Sequence, residues 1–170
     1  MKLSTLPAAL ALFASVSRTH PTAHPGDNCI TQSQADKSVE RWIGVVTRQN
    51  TDLGTQTATL DVILAEDFQE HSNSPSEISF PSKQAYINGT LASNPYRGVQ
   101  TIEILVAGCN NILWHWKFTE IGPKGPVKGF NLFAMNKEMQ VTRLRLEFDT
   151  ISWGVNVGFN VTRSGAFNGQ

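Results

Sequence analysis

The hydrophobic pattern of this chain changes period once, just after Asn94-Pro95, and that change limits the folds open to it more than any other feature. Upstream, apolar residues recur every three or four positions; downstream they alternate. Ile112, Trp114, Trp116 and Phe118 alternate with His115 and Lys117, and Leu144, Leu146 and Phe148 alternate with Arg143, Arg145 and Glu147. Successive side chains of a strand point to opposite faces. One face of the sheet is therefore aromatic and apolar, and the other is charged. In the strand between these two, Phe130, Leu132 and Ala134 are expected on the apolar face, with Asn131 and Phe133 on the charged one.

Four strands are predicted, over 99–107, 112–121, 127–135 and 139–150. The turns between them (GCNN, GPKG and NKE) are short, which makes the strands an antiparallel meander. Before them, Thr31 and Gln34 have capping-box spacing. Ala35, Val39, Trp42, Ile43 and Val46 then share one helical face, and this helix is expected to end near residues 49–50. A shorter helix is expected over 57–64, an extended piece over 65–71 and a polar loop over 73–79. Ser82 caps a third helix carrying Tyr86, Ile87 and Leu91, which Asn94-Pro95 ends. Three helices followed by a meander read as α+β, with the helices on the apolar face of the sheet.

The ends of the chain speak to its compartment. Lys2 precedes an apolar run over 6–16, and small residues at Ser15 and Ser17 flank a cleavage point. Residues 1–17 are thus expected to be a signal peptide, 18–28 an extended leader, 29–153 the domain and 154–170 a C-terminal tail. The run is too short to span a bilayer. Cys29 and Cys109 both fall in the expected mature chain, and an even count after a signal peptide suggests one disulfide. The alternative is a pair of unpaired buried thiols. Asn88 and Asn160 begin N-glycosylation sequons. Lysine plus arginine number 14, as do aspartate plus glutamate, so there is no general field for nucleic acid or an anionic membrane.

Four stretches carry a family resemblance: LAEDFQE at 64–70, FPSKQAY at 80–86, KGFNLF at 128–133 and LEFDTISW at 146–153. With the order of elements, they make the chain similar to the nuclear transport factor 2-like (SnoaL-like) fold, and most of all to secreted fungal proteins with this domain. The resemblance implies a cone: a curved antiparallel sheet and three N-terminal helices enclosing a pocket. Its superfamily includes polyketide cyclases, ketosteroid isomerase and scytalone dehydratase, beside members with no chemistry, so fold alone assigns no reaction.

Enzymes of this fold pair a pocket carboxylate or histidine with a polar donor and abstract a proton beside a carbonyl. Asp67, His71 and Asp149 are the acid/base candidates. His71, beside Glu70, ends the extended piece near the expected mouth; a solvated strand end is the competing reading. Asp149 and Trp153 sit where the last strand turns and could close the pocket. Trp42, Trp114, Trp116, Phe118, Phe130 and Phe148 are expected to line the pocket or fill the core. His20, His24, His71 and His115 lack metal-ligand spacing, and no phosphate loop, dinucleotide fingerprint or Gly-x-Ser-x-Gly occurs, so neither metal nor cofactor is expected.

Three readings follow. The first is a secreted pocket protein for a small apolar or aromatic molecule, such as a secondary metabolite. The second is a cofactor-independent cyclase, isomerase or dehydratase. The third is an extracellular interaction module that docks or homodimerises through the outer sheet face, with Phe133 as its exposed apolar anchor.

Overall fold

A computed structural model describes residues 29–72 and 78–160. The expected signal peptide, the leader, residues 73–77 of the polar loop and residues 161–170 of the tail lie outside the described residues.

The order of elements is α1 (Gln32–Thr47), α2 (Gln56–Ile63), β1 (Leu64–Ser72), β2 (Ile78–Phe80), α3 (Lys83–Ala92), β3 (Val99–Ala107), β4 (Asn111–Phe118), β5 (Val127–Met135), β6 (Val141–Phe148) and α4 (Thr150–Asn156). The strands form one six-stranded sheet in the order β2-β1-β6-β5-β4-β3. β3 to β6 are an antiparallel meander, as the short turns require. β1 joins the far side of β6 in parallel and carries β2 antiparallel at the edge. The class is α+β, with a curved, open, mixed sheet. Among the described residues no helix is long and apolar enough to cross a membrane.

Local chemistry sets the helix ends. The Gln34 amide donates to Thr31 Oγ1 at 3.2 Å, and Gln34 Oε1 accepts from the Thr31 amide at 2.9 Å, which completes the capping box of α1. Arg48 ends α1 in the left-handed region, φ 61°. Its guanidinium donates to the carbonyls of Val45, Thr90 and Ser93, binding the end of α1 to the end of α3. Thr55 and Ser82 cap α2 and α3 through the amides of Ala58 and Ala85.

The core lies between the helices and the inner sheet face. Ala35, Val39, Trp42, Val45 and Val46 of α1 are buried against Ile112 and Trp114 of β4 and Leu144 of β6. The Trp114 indole N–H donates to Thr101 Oγ1 at 3.1 Å and that of Trp116 to Asn131 Oδ1 at 2.9 Å. Both indoles are thus satisfied in an apolar setting.

The structure corrects the expected facing of β5. Phe133 is 3% exposed and packs edge-on against Trp42, while Phe130 is 43% exposed on the outer face. Both parities of this strand are apolar, so alternation alone does not choose between them. The neighbour chooses: Trp116 pairs with Gly129, Trp114 with Asn131 and Ile112 with Phe133. Large indoles need small partners across the strand. A Cβ at Gly129 would lie 2.4 Å from the Glu147 carbonyl oxygen and 2.6 Å from the Trp116 ring, so no side chain fits there. Phe133 is consequently no surface anchor for a partner; Phe130, Leu132 and Ala134 take the outer face instead.

Several boundaries also differ, among them the end of β4, at Phe118 instead of the expected 121. β2 takes up Ile78 and Ser79, expected in the polar loop, because pairing of Phe80 with Glu70 satisfies the free edge of β1. The last strand begins at Val141 and stops at Phe148, inside the expected 139–150. It stops because Asp149 turns the chain into α4: its carboxylate accepts from the Ser152 amide at 2.9 Å and the Ser152 hydroxyl at 2.5 Å. α4 runs on to Asn156, past the expected domain end at 153.

Candidate functional site

Strand alternation and the splay of the helices from the sheet leave a cavity of about 210 Å³ between them. β4 supplies Trp114, Trp116 and Phe118, and β6 supplies Leu144, Leu146 and Phe148. α1 contributes Trp42 and Val46, and α3 contributes Tyr86, Gly89 and Thr90. Phe80, Tyr96 and Trp153 complete the aromatic wall. The rings hold one another: Trp116 stacks on Phe118 at 4.2 Å, Phe118 on Tyr96 at 4.9 Å, and Tyr86 meets Trp42 at 5.4 Å and Phe80 at 5.3 Å. Tyr96 is 37% exposed, so one side of the wall reaches solvent.

Besides the hydroxyls of Thr90, Ser93, Tyr86 and Tyr96, two polar side chains interrupt this lining. Asn131 is buried and occupied in accepting from Trp116. The other is Glu70, and among the described residues it is the only ionisable acid or base in the lining besides the two tyrosines. β1 points Phe68, Glu70 and Ser72 to one face, so Glu70 enters the cavity for the same reason that Phe68 enters the core. Glu70 is 6% exposed. Burial pushes it up from an ordinary 4.5 to about 7, and a hydrogen bond with the Ser79 side chain pulls the other way. The phenol of Tyr86 is pushed well above its usual range, first by burial and then by the nearby Glu70 carboxylate; Tyr96 is raised by the same two causes. At neutral pH the cavity therefore offers two phenolic O–H groups and one carboxyl poised between its two forms.

The family model for the NTF2-like domain matches residues 28–160. The chain belongs to this NTF2-like family. No curated protein matches the sequence. Solved structures share the fold at low identity. A SnoaL-like protein of unknown function from Burkholderia thailandensis is 22% identical, with a TM-score of 0.52 over 71% of this chain and 98% of that one. A steroid delta-isomerase from Pseudomonas aeruginosa is 9% identical, with a TM-score of 0.55 over 76% of this chain and 93% of that one. A phenazine biosynthesis-related protein from the same species is 12% identical, with a TM-score of 0.52 over 81% and 96%.

Within this NTF2-like cone, the acid/base candidates named from the sequence do not line the cavity. Asp67 is exposed, and His71 is half-buried on the opposite side of β1, its Nε2 3.4 Å from Gln69 Oε1. Asp149 is exposed and committed to the cap of α4. Of the aromatic candidates, Trp42, Trp114, Trp116, Phe118 and Phe148 line the cavity and Phe130 does not. Trp153, expected near the pocket's closure, is in its wall, edge-on to Phe148 at 6.0 Å. Glu70 had a signal in the sequence: it lies two positions from Phe68, so a core-facing Phe68 makes Glu70 core-facing. Tyr96 carried no such signal, since it sits in the irregular link after Pro95. Among the described residues no group of three His, Cys, Asp or Glu side chains could hold a metal ion.

Proposed function

We propose that this protein binds a small, largely apolar ring compound in the NTF2-like cavity, with the compound's one polar group against Glu70. The observation that carries this reading is a ring-walled cavity of about 210 Å³ with a single buried carboxyl. An apolar cavity of about 150 Å³ holds a benzene. The space here therefore suits one ring with a short substituent, or a compact bicycle. Calorimetric titration with 2-naphthol is expected to give saturable 1:1 binding, with Kd below about 1 mM, or some 4 kcal/mol. Leu146→Trp, which fills the space from its β6 wall, is expected to weaken it at least tenfold. Binding that the filled variant retains would move the ligand to some other place on the surface.

A second reading is acid/base catalysis without a cofactor, and the carboxyl of Glu70 favours it. A group titrating near 7 serves as acid or base at neutral pH. Glu70 would take a proton from carbon beside a carbonyl, with the Tyr86 hydroxyl donating to the oxygen that gains charge. One fold neighbour is a steroid delta-isomerase. If this reading holds, extracts of a producing strain lacking the gene accumulate one precursor, and a copy carrying Glu70→Gln does not restore its product. A metabolite profile that the gene's loss leaves unchanged would remove catalysis and keep binding.

The place of action is proposed to be outside the cell. The charged-then-apolar start of the chain and the Cys29–Cys109 disulfide support this. Asn88 is exposed on α3, where a glycan would stand clear of the core. The intact mass of protein recovered from culture medium reads the cleaved leader, the closed disulfide and any glycan together; a chain found only inside cells would contradict it.

A further inference from the structure

The lining of the cavity has an acid without a base. Among the described residues, no lysine, arginine or histidine lines it. None of the ion pairs among the described residues includes Glu70. Arg48, the cation that acts on Tyr86 and Tyr96, has its guanidinium committed to the carbonyls of Val45, Thr90 and Ser93. The groups facing Glu70 are the Ser79 hydroxyl of β2, the phenols of Tyr86 and Tyr96, and, across the parallel pairing, Leu144 of β6. None of them carries a positive charge.

A carboxylate taken out of water into such surroundings is costly unless a cation meets it. The walls favour the same visitor. The faces of tryptophan, tyrosine and phenylalanine attract a cation electrostatically, most strongly where water is excluded. A neutral ligand leaves Glu70 either unpaired or protonated, and an anionic one is repelled.

We infer that the ligand of this cavity is a small protonated amine with an apolar or aromatic body, its ammonium group held between the Glu70 carboxylate and the surrounding rings. This deepens the binding reading above and rests on it. The amine is primary or secondary, since the pair needs an N–H to donate to the carboxylate, and its body is limited to about one ring by the volume of the cavity.

An ammonium–carboxylate pair at Glu70 has its own pH dependence. An ammonium selects the ionised carboxylate, which prevails only above about pH 7. Tyr86 and Tyr96, both raised further above neutrality by burial, stay protonated between pH 6 and pH 8, so Glu70 is the facing group that changes. Affinity for an amine should therefore rise about tenfold across that interval.

The test is calorimetric titration of the full chain with three matched probes: phenethylamine, 2-phenylethanol and 3-phenylpropanoate. At pH 8 the amine is expected to bind at least tenfold more tightly than the alcohol, and the acid more weakly than either. From pH 8 to pH 6 the amine is expected to lose about tenfold while the alcohol, which meets the protonated carboxyl without a cation, loses nothing. Glu70→Gln, which keeps the shape of the side chain, should bring the amine to the level of the alcohol and abolish its pH dependence. Saturable binding of the alcohol with no preference for the amine would overturn the ammonium inference and leave the pocket reading standing. Tightest binding of the acid would likewise overturn it. Failure of all three to bind would overturn both.

Discussion

Glu70→Gln is expected to make this protein more stable at pH 8 by about 3 kcal/mol, while leaving its stability at pH 4 almost unchanged. Most substitutions of a buried polar side chain destabilise, so the direction is diagnostic. In the folded chain the Glu70 carboxyl gives up its proton near pH 7, against 4.5 for an ordinary glutamate, because burial penalises its charged form. Between these two values the folded state holds a proton that the unfolded state has lost. Stability therefore falls as the pH rises from 4.5 to 7, and the loss persists above that window. Glutamine has no charge to bury, retains an acceptor for Ser79 and escapes the loss. Urea unfolding of both proteins at several pH values reads the difference directly, and in a melting experiment it corresponds to roughly 10 °C at pH 8. Equal stability at pH 8, or a glutamine variant weaker there, would mean that Glu70 is not desolvated in solution.

Opening the disulfide is expected to cost more. Cys29 and Cys109 are 80 residues apart in sequence, and closing a loop of that length stabilises the folded state by about 4–5 kcal/mol in the chain-entropy model. The link also has local work. Cys29 lies two residues before Thr31, the cap of α1, and Cys109 lies in the turn between β3 and β4. The Ile30 amide donates to the Cys109 carbonyl at 2.8 Å. The bridge thus holds the first helix to the hairpin whose tryptophans wall the cavity. The double variant Cys29→Ser, Cys109→Ser should melt roughly 15 °C below the parent. Neither cysteine lines the cavity, so the affinity of the folded variant for 2-naphthol should match the parent's. A melting point within a few degrees of the parent would show that the cross-link constrains little in the unfolded chain.

The parts of the fold legible in the sequence are those where one parity is apolar and the other is not. β4 and β6 are of this kind: indole and phenyl rings alternate with Lys117, Arg143, Arg145 and other polar residues, and only one facing keeps the charges in water. β5 is different. Phe130 and Leu132 compete with Phe133 and Met135 for the core, and the outcome rests on which strand side has room for the indoles of β4. That information belongs to the pair of strands. α4 was hidden for a local reason: TISWG at 150–154 combines β-branched residues with glycine, all weak helix formers, and only the Asp149–Ser152 spacing hinted at a cap.

The same logic divides the site. The aromatic wall of the cavity could be read from alternation, whereas the position of its carboxyl depended on a single step of parity. His71 and Asp67 have the more familiar chemistry for a general base, yet β1 turns both away from the cavity. Glu70 lies between them and takes the inner face. Tyr86 lies on the buried face of α3 with Ile87, but its closeness to Glu70 exists only in three dimensions, since 16 positions separate the two residues in sequence.

The most direct test of the account is to follow Glu70 itself. Carbon-13 NMR of chain labelled at the glutamate δ-carboxyl, titrated from pH 3 to pH 9 with and without 2-naphthol, reports its proton and its contact with a ligand together. Glu70→Gln identifies the resonance by its disappearance. The account predicts a midpoint near 7 in the free protein that moves when the probe saturates the cavity. A midpoint near 4.5 that the probe leaves in place would mean a solvated carboxylate away from any binding site, and would contradict it.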